Sequence, residues 1–271
     1  MKIKVLFMGR KKVASACLKY LISRTDVEIV GVLTDSHLAN SVTSSVAIEN
    51  GLRLFDFDTA LDAIKSNKLN FDIGLSMLYW RKLKDDFLSL PKLGIINFHP
   101  AILPDYKGTA GYNVAILEGR SDWGVSAHYV DAEIDTGEII DVSMFPISKD
   151  EETAYSLEKK SQNYLFEQFI KVANLALEKN SKLDSVPNIG GKYISRLEME
   201  AMKEIKDGDD VSRKVRAFWF PPYDGAFIKI NEKKFTLVDN FILSTLSDPD
   251  VGSLFSTSTS TSTSASADAS T

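Results

Sequence analysis

Short, continuous apolar runs recur through the first hundred residues: IKVLFMG at 3–9, VEIVGVLT at 27–34, FDIGLSML at 71–78 and LGIINFH at 93–99. Runs of this length, bounded by turn residues, predict buried strands. Between the first two, VASACLKYLIS at 13–23 places its apolar residues at helical spacing, and further helical segments are expected near 40–50 and 58–66. Strands that alternate with helices predict an α/β fold. The expected sheet is open, mostly parallel and Rossmann-like, with helices on both faces.

The pattern changes at residue 123. WGVSAHYVDA and GEIIDVSMFPI read as two strands joined by the short turn EIDT, a hairpin added to the sheet. Residues 153–179 carry the apolar stripe of a long amphipathic helix, with Thr153 as N-cap. This helix is expected to pack back over the sheet and close a first domain at residues 1–180. After a loop rich in Asn, Gly and Ser (180–192), residues 181–246 predict a small α+β appendage. It holds a helix near 209–218, the turn FPPYDG, and a hairpin of AFIKI and KFTLVDNF joined by Asn231, Glu232 and Lys233. A lone hairpin is marginal in water, so it should pack on the first domain or on another subunit, and a homodimer is expected. Residues 247–271 are Ser/Thr-rich, low in complexity and expected to be disordered.

Composition narrows the class. The 271 residues are 44% hydrophobic and 25% charged, with a formal net charge of −5. That balance suits an ordinary globular protein and lacks the positive field of a dedicated nucleic-acid binder, so no nucleic-acid partner is expected. Cys17 is the only cysteine, which excludes a disulfide framework and a Cys-based metal cluster and fits a cytoplasmic setting. No apolar run reaches the roughly 20 residues of a membrane span, and the N-terminal run is too short for a signal-peptide core.

Candidate chemistry gathers in three places. The first strand–helix turn, MGRKKVAS, has a single glycine and lacks the Gly-x-Gly-x-x-Gly pattern of dinucleotide binding. A helix start flanked by Gly9, Arg10, Lys11 and Lys12 can hold phosphate, or can simply be a solvated basic turn. Asn97 and His99 leave the same face of a strand at its carboxyl end, where parallel α/β sheets bind ligands. The loop VDAEIDTGEII adds the carboxylates Asp131, Glu133 and Asp135. An amide donor, an imidazole and a carboxylate are the parts required for acyl transfer to an amine. His37 and His128 read as ordinary turn or strand histidines.

These segments resemble a known family, the formyltransferases that use 10-formyltetrahydrofolate. NFHPAILPDYKG (97–108) is similar to the family's Asn-x-His-Pro segment with its Leu-Pro-x-Tyr-(Arg/Lys)-Gly continuation, and VDAEIDTGEII (130–140) to its Asp-x-x-x-Asp-Thr-Gly loop. The resemblance implies that Asn97 and His99 stabilise an oxyanion and that Asp135 positions His99 or carries protons. It implies 10-formyltetrahydrofolate as co-substrate, lying between the MLYWRKL stretch (77–83) and the Val130–Asp135 loop, with contacts from Met77, Leu78, Tyr79, Arg81, Val130, Asp131 and Ile134. Arg81 is expected to pair with a folate carboxylate.

The resembled family includes enzymes that formylate glycinamide ribonucleotide, initiator methionyl-tRNA and nucleotide-linked amino sugars, and it also includes formyltetrahydrofolate hydrolases. VRAFWFPPYDGAFI (215–228) is similar to the short appendage of the sugar-nucleotide enzymes. That points to a nucleotide-linked amino sugar as acceptor, on the route to a formylated surface polysaccharide such as a lipopolysaccharide O-antigen. Gly9, Arg10 and Lys11 are expected on its diphosphate, with Tyr106, Lys107, Gly108, Trp219 and Tyr223 completing its site and Phe220 as a further ring for stacking. The hydrolases usually carry a further N-terminal domain, whereas this chain begins at its first strand.

Overall fold

A computed structural model describes residues 2–35 and 41–246; His37 and the Ser/Thr-rich stretch lie outside the described residues. The strands are β1 (Ile3–Gly9), β2 (Val27–Leu33), β3 (Leu54–Phe55), β4 (Ile73–Met77), β5 (Ile95–His99), β7 (Asp122–Tyr129) and β8 (Ile139–Pro146), ordered β3-β2-β1-β4-β5-β7-β8 in one seven-stranded sheet. Pairing is parallel from β3 to β5 and antiparallel from β5 through β7 to β8. The expected hairpin is therefore present as an antiparallel extension of a parallel sheet. Its connection is the nine residues 130–138 rather than the four of EIDT, because β7 ends at Tyr129 and β8 begins at Ile139.

Period-two alternation sends β1 side chains to both faces. Leu6 and Met8 join a cluster with Phe57, Leu61 and Phe87, carried by α3 (Phe57–Lys65) and α4 (Asp85–Ser89). Phe7 on the other face meets Phe169 edge-on at 6.3 Å, and Phe98 of β5 meets the same ring at 5.0 Å. Phe169 belongs to α6 (Ala154–Lys179), which runs beside α1 (Lys11–Ile22). The capping residue read from the sequence is in place. Thr153 accepts a hydrogen bond from the Ser156 N–H at 3.0 Å while Ser156 Oγ accepts one from the Thr153 N–H at 2.9 Å. Because Phe169 is wholly buried between two strands' aromatic rings, Phe169→Ala should cost about 3–5 kcal/mol, read as a lower urea midpoint with an unchanged slope.

Residues through Leu237 form one compact unit and those from Val238 a second. Within the first unit, β6 (Tyr106–Gly108) pairs in parallel with β9 (Lys192–Ile194). Helix α8 (Val211–Phe218) is tied to α5 (Gly111–Leu117) by Asn113 Nδ2 donating to the Ala217 carbonyl at 2.7 Å. Segment α7 (Arg196–Ala201) lies between β9 and α8 in sequence. The C-terminal hairpin is β10 (Phe227–Ile230) with β11 (Lys233–Thr236), and its turn is Asn231–Glu232 alone, both residues at positive φ. The second strand stops at Thr236, short of the expected 241. Asp239 Oδ1 accepts from the Ile242 N–H at 2.8 Å and opens helix α9 (Asn240–Leu246) in the second unit.

Candidate active site

The site is built on a lateral row across β4, β5 and β7. Register places Ser76 opposite Asn97 and Asn97 opposite His128. One polar side chain from each strand thus lies at the same level of the sheet. Ser76 Oγ donates to Asn97 Oδ1 at 2.8 Å, Asn97 Nδ2 donates to His128 Nε2 at 3.1 Å, and His128 Nδ1 donates to the Tyr129 carbonyl at 2.7 Å. A carbonyl only accepts, so the chain has one polarity throughout and the Asn97 amide has one orientation. Asn97 keeps a second N–H unused by this chain.

Two residues on, His99 is buried, with Nε2 donating to the Tyr106 carbonyl at 2.8 Å. Its Nδ1 lies 3.5 Å from Asp135 Oδ2, while Asp135 Oδ1 lies 3.6 Å from His128 Nε2. Burial pushes the His99 pKa below its ordinary value, with Asp135 opposing that shift. The neutral ring carries its proton on Nε2 and a lone pair on Nδ1. Burial also works against the Asp135 carboxylate, but His99, His128 and the Gly108 N–H outweigh it and hold the pKa at about 2. A neutral base beside a fixed carboxylate can accept a proton, and the resulting imidazolium would face an acceptor at each nitrogen.

The Asp-Thr-Gly loop has a mechanical reason. Asp135 sits at φ 56°, a left-handed conformation that Asp tolerates better than most residues. Thr136 Oγ1 donates to Asp131 Oδ1 at 2.6 Å, and Asn188 Nδ2 donates to the carbonyls of Asp135 and Gly137 at 3.0 and 2.9 Å. A Cβ on Gly137 would stand 1.9 Å from the Tyr129 carbonyl oxygen, so only glycine lets this loop lie against the end of β7. The Gly108 N–H donates to Asp135 Oδ2 at 3.0 Å, and Lys107 Nζ reaches the Gly190 carbonyl at 2.8 Å. Gly108 thus braces the loop through Asp135, while the Lys107 ammonium is held at Gly190.

A cleft opens above the row, walled by the segment after β4 and by the loop after β7. Tyr79, Arg81, Val130, Asp131 and Ile134 line it, together with Trp80, Lys82 and Glu133, while Asn97, His128 and Asp135 form its base. Lys82 Nζ meets Glu133 Oε2 at 3.1 Å across the two walls. Met77 and Leu78 do not line it. The Met77 side chain is fully buried and its carbonyl accepts the Arg10 N–H, because Met77 follows Ser76 and so faces the opposite side of the sheet. Leu78 takes the turn out of the strand at φ 55°.

A second cavity, of about 400 Å³, is lined by Arg10, Thr109, Tyr112, Glu158, Phe220 and Tyr223 among others. Its volume lies in the usual range for small-molecule sites. Lys11, at φ 68°, gives its ammonium to the buried Glu158 carboxylate at 2.7 Å. Trp219 does not line this cavity. It caps the end of α8 with its carbonyl accepting the Tyr155 N–H at 3.1 Å, and the ring presented there is Phe220. Tyr106 is also displaced from the expected role. Its ring packs edge-on to Trp123 at 4.9 Å and its hydroxyl donates to Glu118, with burial and Glu118 raising its pKa to about 12. Gly9 contributes close approach, since a Cβ there would stand 2.7 Å from Ala14 Cβ.

Residues 1–172 match the family described as Formyl transferase. A methionyl-tRNA formyltransferase from Clostridioides difficile (strain 630) is 28% identical over 94% of this chain and 86% of its own length. An N-formyltransferase from Helicobacter canadensis, solved with folinic acid and dTDP-3-aminofucose, superposes with a TM-score of 0.69 at 24% identity over 86% of both chains. A 4-N formyltransferase from Francisella tularensis superposes at 0.71 and 22% identity, over 87% of this chain and 96% of that one.

Proposed function

The chain belongs to the formyl transferase family, and on that premise we propose that it moves the formyl group of 10-formyltetrahydrofolate to the amine of a nucleotide-linked amino sugar. The observation that carries the chemistry is the hydrogen-bonded row that leaves one Asn97 N–H for the cleft. Attack of an amine on the formyl carbon puts negative charge on the formyl oxygen, and a fixed N–H lowers the barrier most where that charge develops. The C–N bond to the amine forms, the bond to the folate nitrogen breaks, and a proton passes from the amine to that nitrogen. Asp135 lines the cleft and touches His99, so it is the group through which the proton reaches Nδ1.

The cleft suits a flat, partly apolar co-substrate. Trp80 is 50% and Ile134 46% exposed on its two walls, which leaves apolar surface to cover a ring. Arg81 stands 4.9 Å over the Trp80 ring and is placed to meet a folate carboxylate. Arg81→Ala should raise the KM for 10-formyltetrahydrofolate by about tenfold or more with little change in kcat, measured by initial rates.

The acceptor reading is supported by the second cavity, whose lining includes the rings of Tyr112, Phe220 and Tyr223 with Arg10, and which reaches Thr109 beside the Gly108 N–H that holds Asp135. The Clostridioides difficile relative favours a second reading, formylation of methionyl-tRNA. Against it, the net charge of −5 gives no general attraction to a polyanion. The deciding experiment offers 10-formyltetrahydrofolate with UDP-, dTDP- and GDP-linked 3-amino and 4-amino hexoses, and separately with methionyl-tRNA, following product masses. One formyl group gained by a sugar nucleotide is the expected result, and formylation of methionyl-tRNA alone would overturn it. The reading extends to a homodimer in which a second copy covers Ile230 and Phe235 of the C-terminal hairpin, both about half exposed. A monomer mass at micromolar concentration would reject that part.

A further inference from the structure

The turn after β1 also borders a third cavity, of about 330 Å³, at the carboxyl ends of β1 and β2. Its walls include Arg10, Lys12, Asp35 and Ser41. Asp35 follows β2 closely and is 6% exposed, yet its Oδ1 has no hydrogen-bond partner and the carboxylate makes no ion pair among the described residues. A buried carboxylate is ordinarily paired or hydrogen-bonded, so this one has acceptor capacity that the fold does not use. Nearby polar groups are already committed: Ser41 caps α2 (Val42–Glu49) and lies 3.4 Å from the Thr34 hydroxyl.

Opposite Asp35 stands a turn fitted for anions. Helix α1 is 12 residues long and its N-cap, Arg10, supplies no side-chain cap, which leaves first-turn N–H groups for a ligand. Lys11 is held by Glu158, whereas the side chains of Arg10 and Lys12 make no ion pair among the described residues. An anion-holding turn after one strand and a buried acceptor after the next match two adjacent parts of a nucleotide. In dinucleotide-binding parallel sheets an acidic residue after the second strand accepts from a ribose hydroxyl, and Asp35 takes the corresponding place here without the glycine-rich turn.

We propose that this cavity takes the nucleoside diphosphate end of the acceptor, with Arg10 and Lys12 on the diphosphate and Asp35 accepting a hydrogen bond from the ribose 2′-hydroxyl, so that the enzyme selects a ribonucleotide carrier over a deoxyribonucleotide one. The inference rests on the sugar-nucleotide reading and sharpens it. Arg10 is a shared wall of this cavity and the aromatic one. A diphosphate at Arg10 therefore directs the amino sugar along Tyr112 and Thr109, towards the Gly108 N–H that holds Asp135.

The test is calorimetric titration of the full chain with UDP, 2′-deoxy-UDP, GDP and 2′-deoxy-GDP, repeated on Asp35→Ala and Asp35→Asn. One ribonucleotide should bind about tenfold or more tightly than its deoxy form, the usual size of a hydrogen bond to a charged group. Asp35→Ala should erase that preference by weakening the ribonucleotide alone, without lowering the melting temperature of the free protein, since it removes an unpartnered charge. Asp35→Asn, equal in size, should reduce the preference because a neutral acceptor is weaker. If Asp35→Ala does not fold, a preference undiminished in Asp35→Asn overturns the proposal. Equal binding of ribo and deoxy forms to the parent protein, or a preference that survives Asp35→Ala, overturns it while leaving the sugar-nucleotide reading intact. No binding by any of the four nucleotides overturns the proposal, and the sugar-nucleotide reading is then decided by the acceptor assay, which includes the dTDP-linked sugars.

Discussion

Asp135→Asn is expected to lower kcat by about 10³–10⁴-fold, the scale seen when the carboxylate behind a catalytic histidine is neutralised. The carboxylate is ionised at neutral pH, with its pKa held at about 2, and it faces both His99 and His128. An amide there removes the charge that stabilises the imidazolium and presents a different hydrogen-bonding face to both rings. The residual activity carries a second signature. In the proposed mechanism His99 acts in its neutral form, so the rate should fall as pH drops through its pKa, which burial places below the ordinary value. Asp135 raises that pKa by attraction, so its loss lowers the pKa further and moves the acid limb of the kcat profile to lower pH. An acid limb that stays in place or moves up would exclude His99 as the titrating base.

Asn97→Ala should lower kcat by about 10²–10³-fold, the cost of losing one oxyanion donor. The KM for 10-formyltetrahydrofolate should change much less, because the donor acts on charge that the ground state does not carry. The amide is also the middle of the row. Without it the Ser76 hydroxyl and the His128 ring lose their shared partner. Ser76→Ala separates the two effects, since it leaves the donor but loosens its orientation. It should reduce kcat by a smaller factor than Asn97→Ala, and an equal loss would assign the effect to the network rather than to the donor.

The three residues proposed for catalysis were legible in the chain as candidates because they lie in two punctuated segments. Asn97 and His99 share a strand face by its period of two, and the Asp-Thr-Gly turn marks Asp135. Their partners were hidden for a physical reason. Ser76 and His128 come from 21 residues before and 31 residues after Asn97, and only lateral register brings them to its side. One trace was present: each of the strands β4, β5 and β7 interrupts an apolar run with a polar residue, Ser76, Asn97 and His128 among them. The same alternation, applied to β4, would have turned Met77 into the core and away from the cleft.

Long elements were legible and short ones were not. The helix at 153–179 declared itself through length, amphipathic spacing and the Thr153 cap. By contrast β6, β9 and α7 are three to six residues long, below the span over which periodicity speaks. The stretch after Thr236 misled because Phe, Val and Leu favour strands, while the N-cap at Asp239 favoured a helix and prevailed. Trp219 and Tyr106 misled because aromatic residues near a site serve packing as readily as binding. Trp219 turns the chain at the end of α8, and Tyr106 fills the space beside Trp123.

The fate of the formyl group is the most direct test of transfer to an amine. With a sugar nucleotide that the enzyme accepts, tetrahydrofolate and formylated sugar should be formed in equal amounts throughout the time course, and omission of the sugar should reduce tetrahydrofolate release to background. Tetrahydrofolate formed at an undiminished rate without the sugar, and without formylated product, would mean that water is the true acceptor and would contradict transfer to an amine.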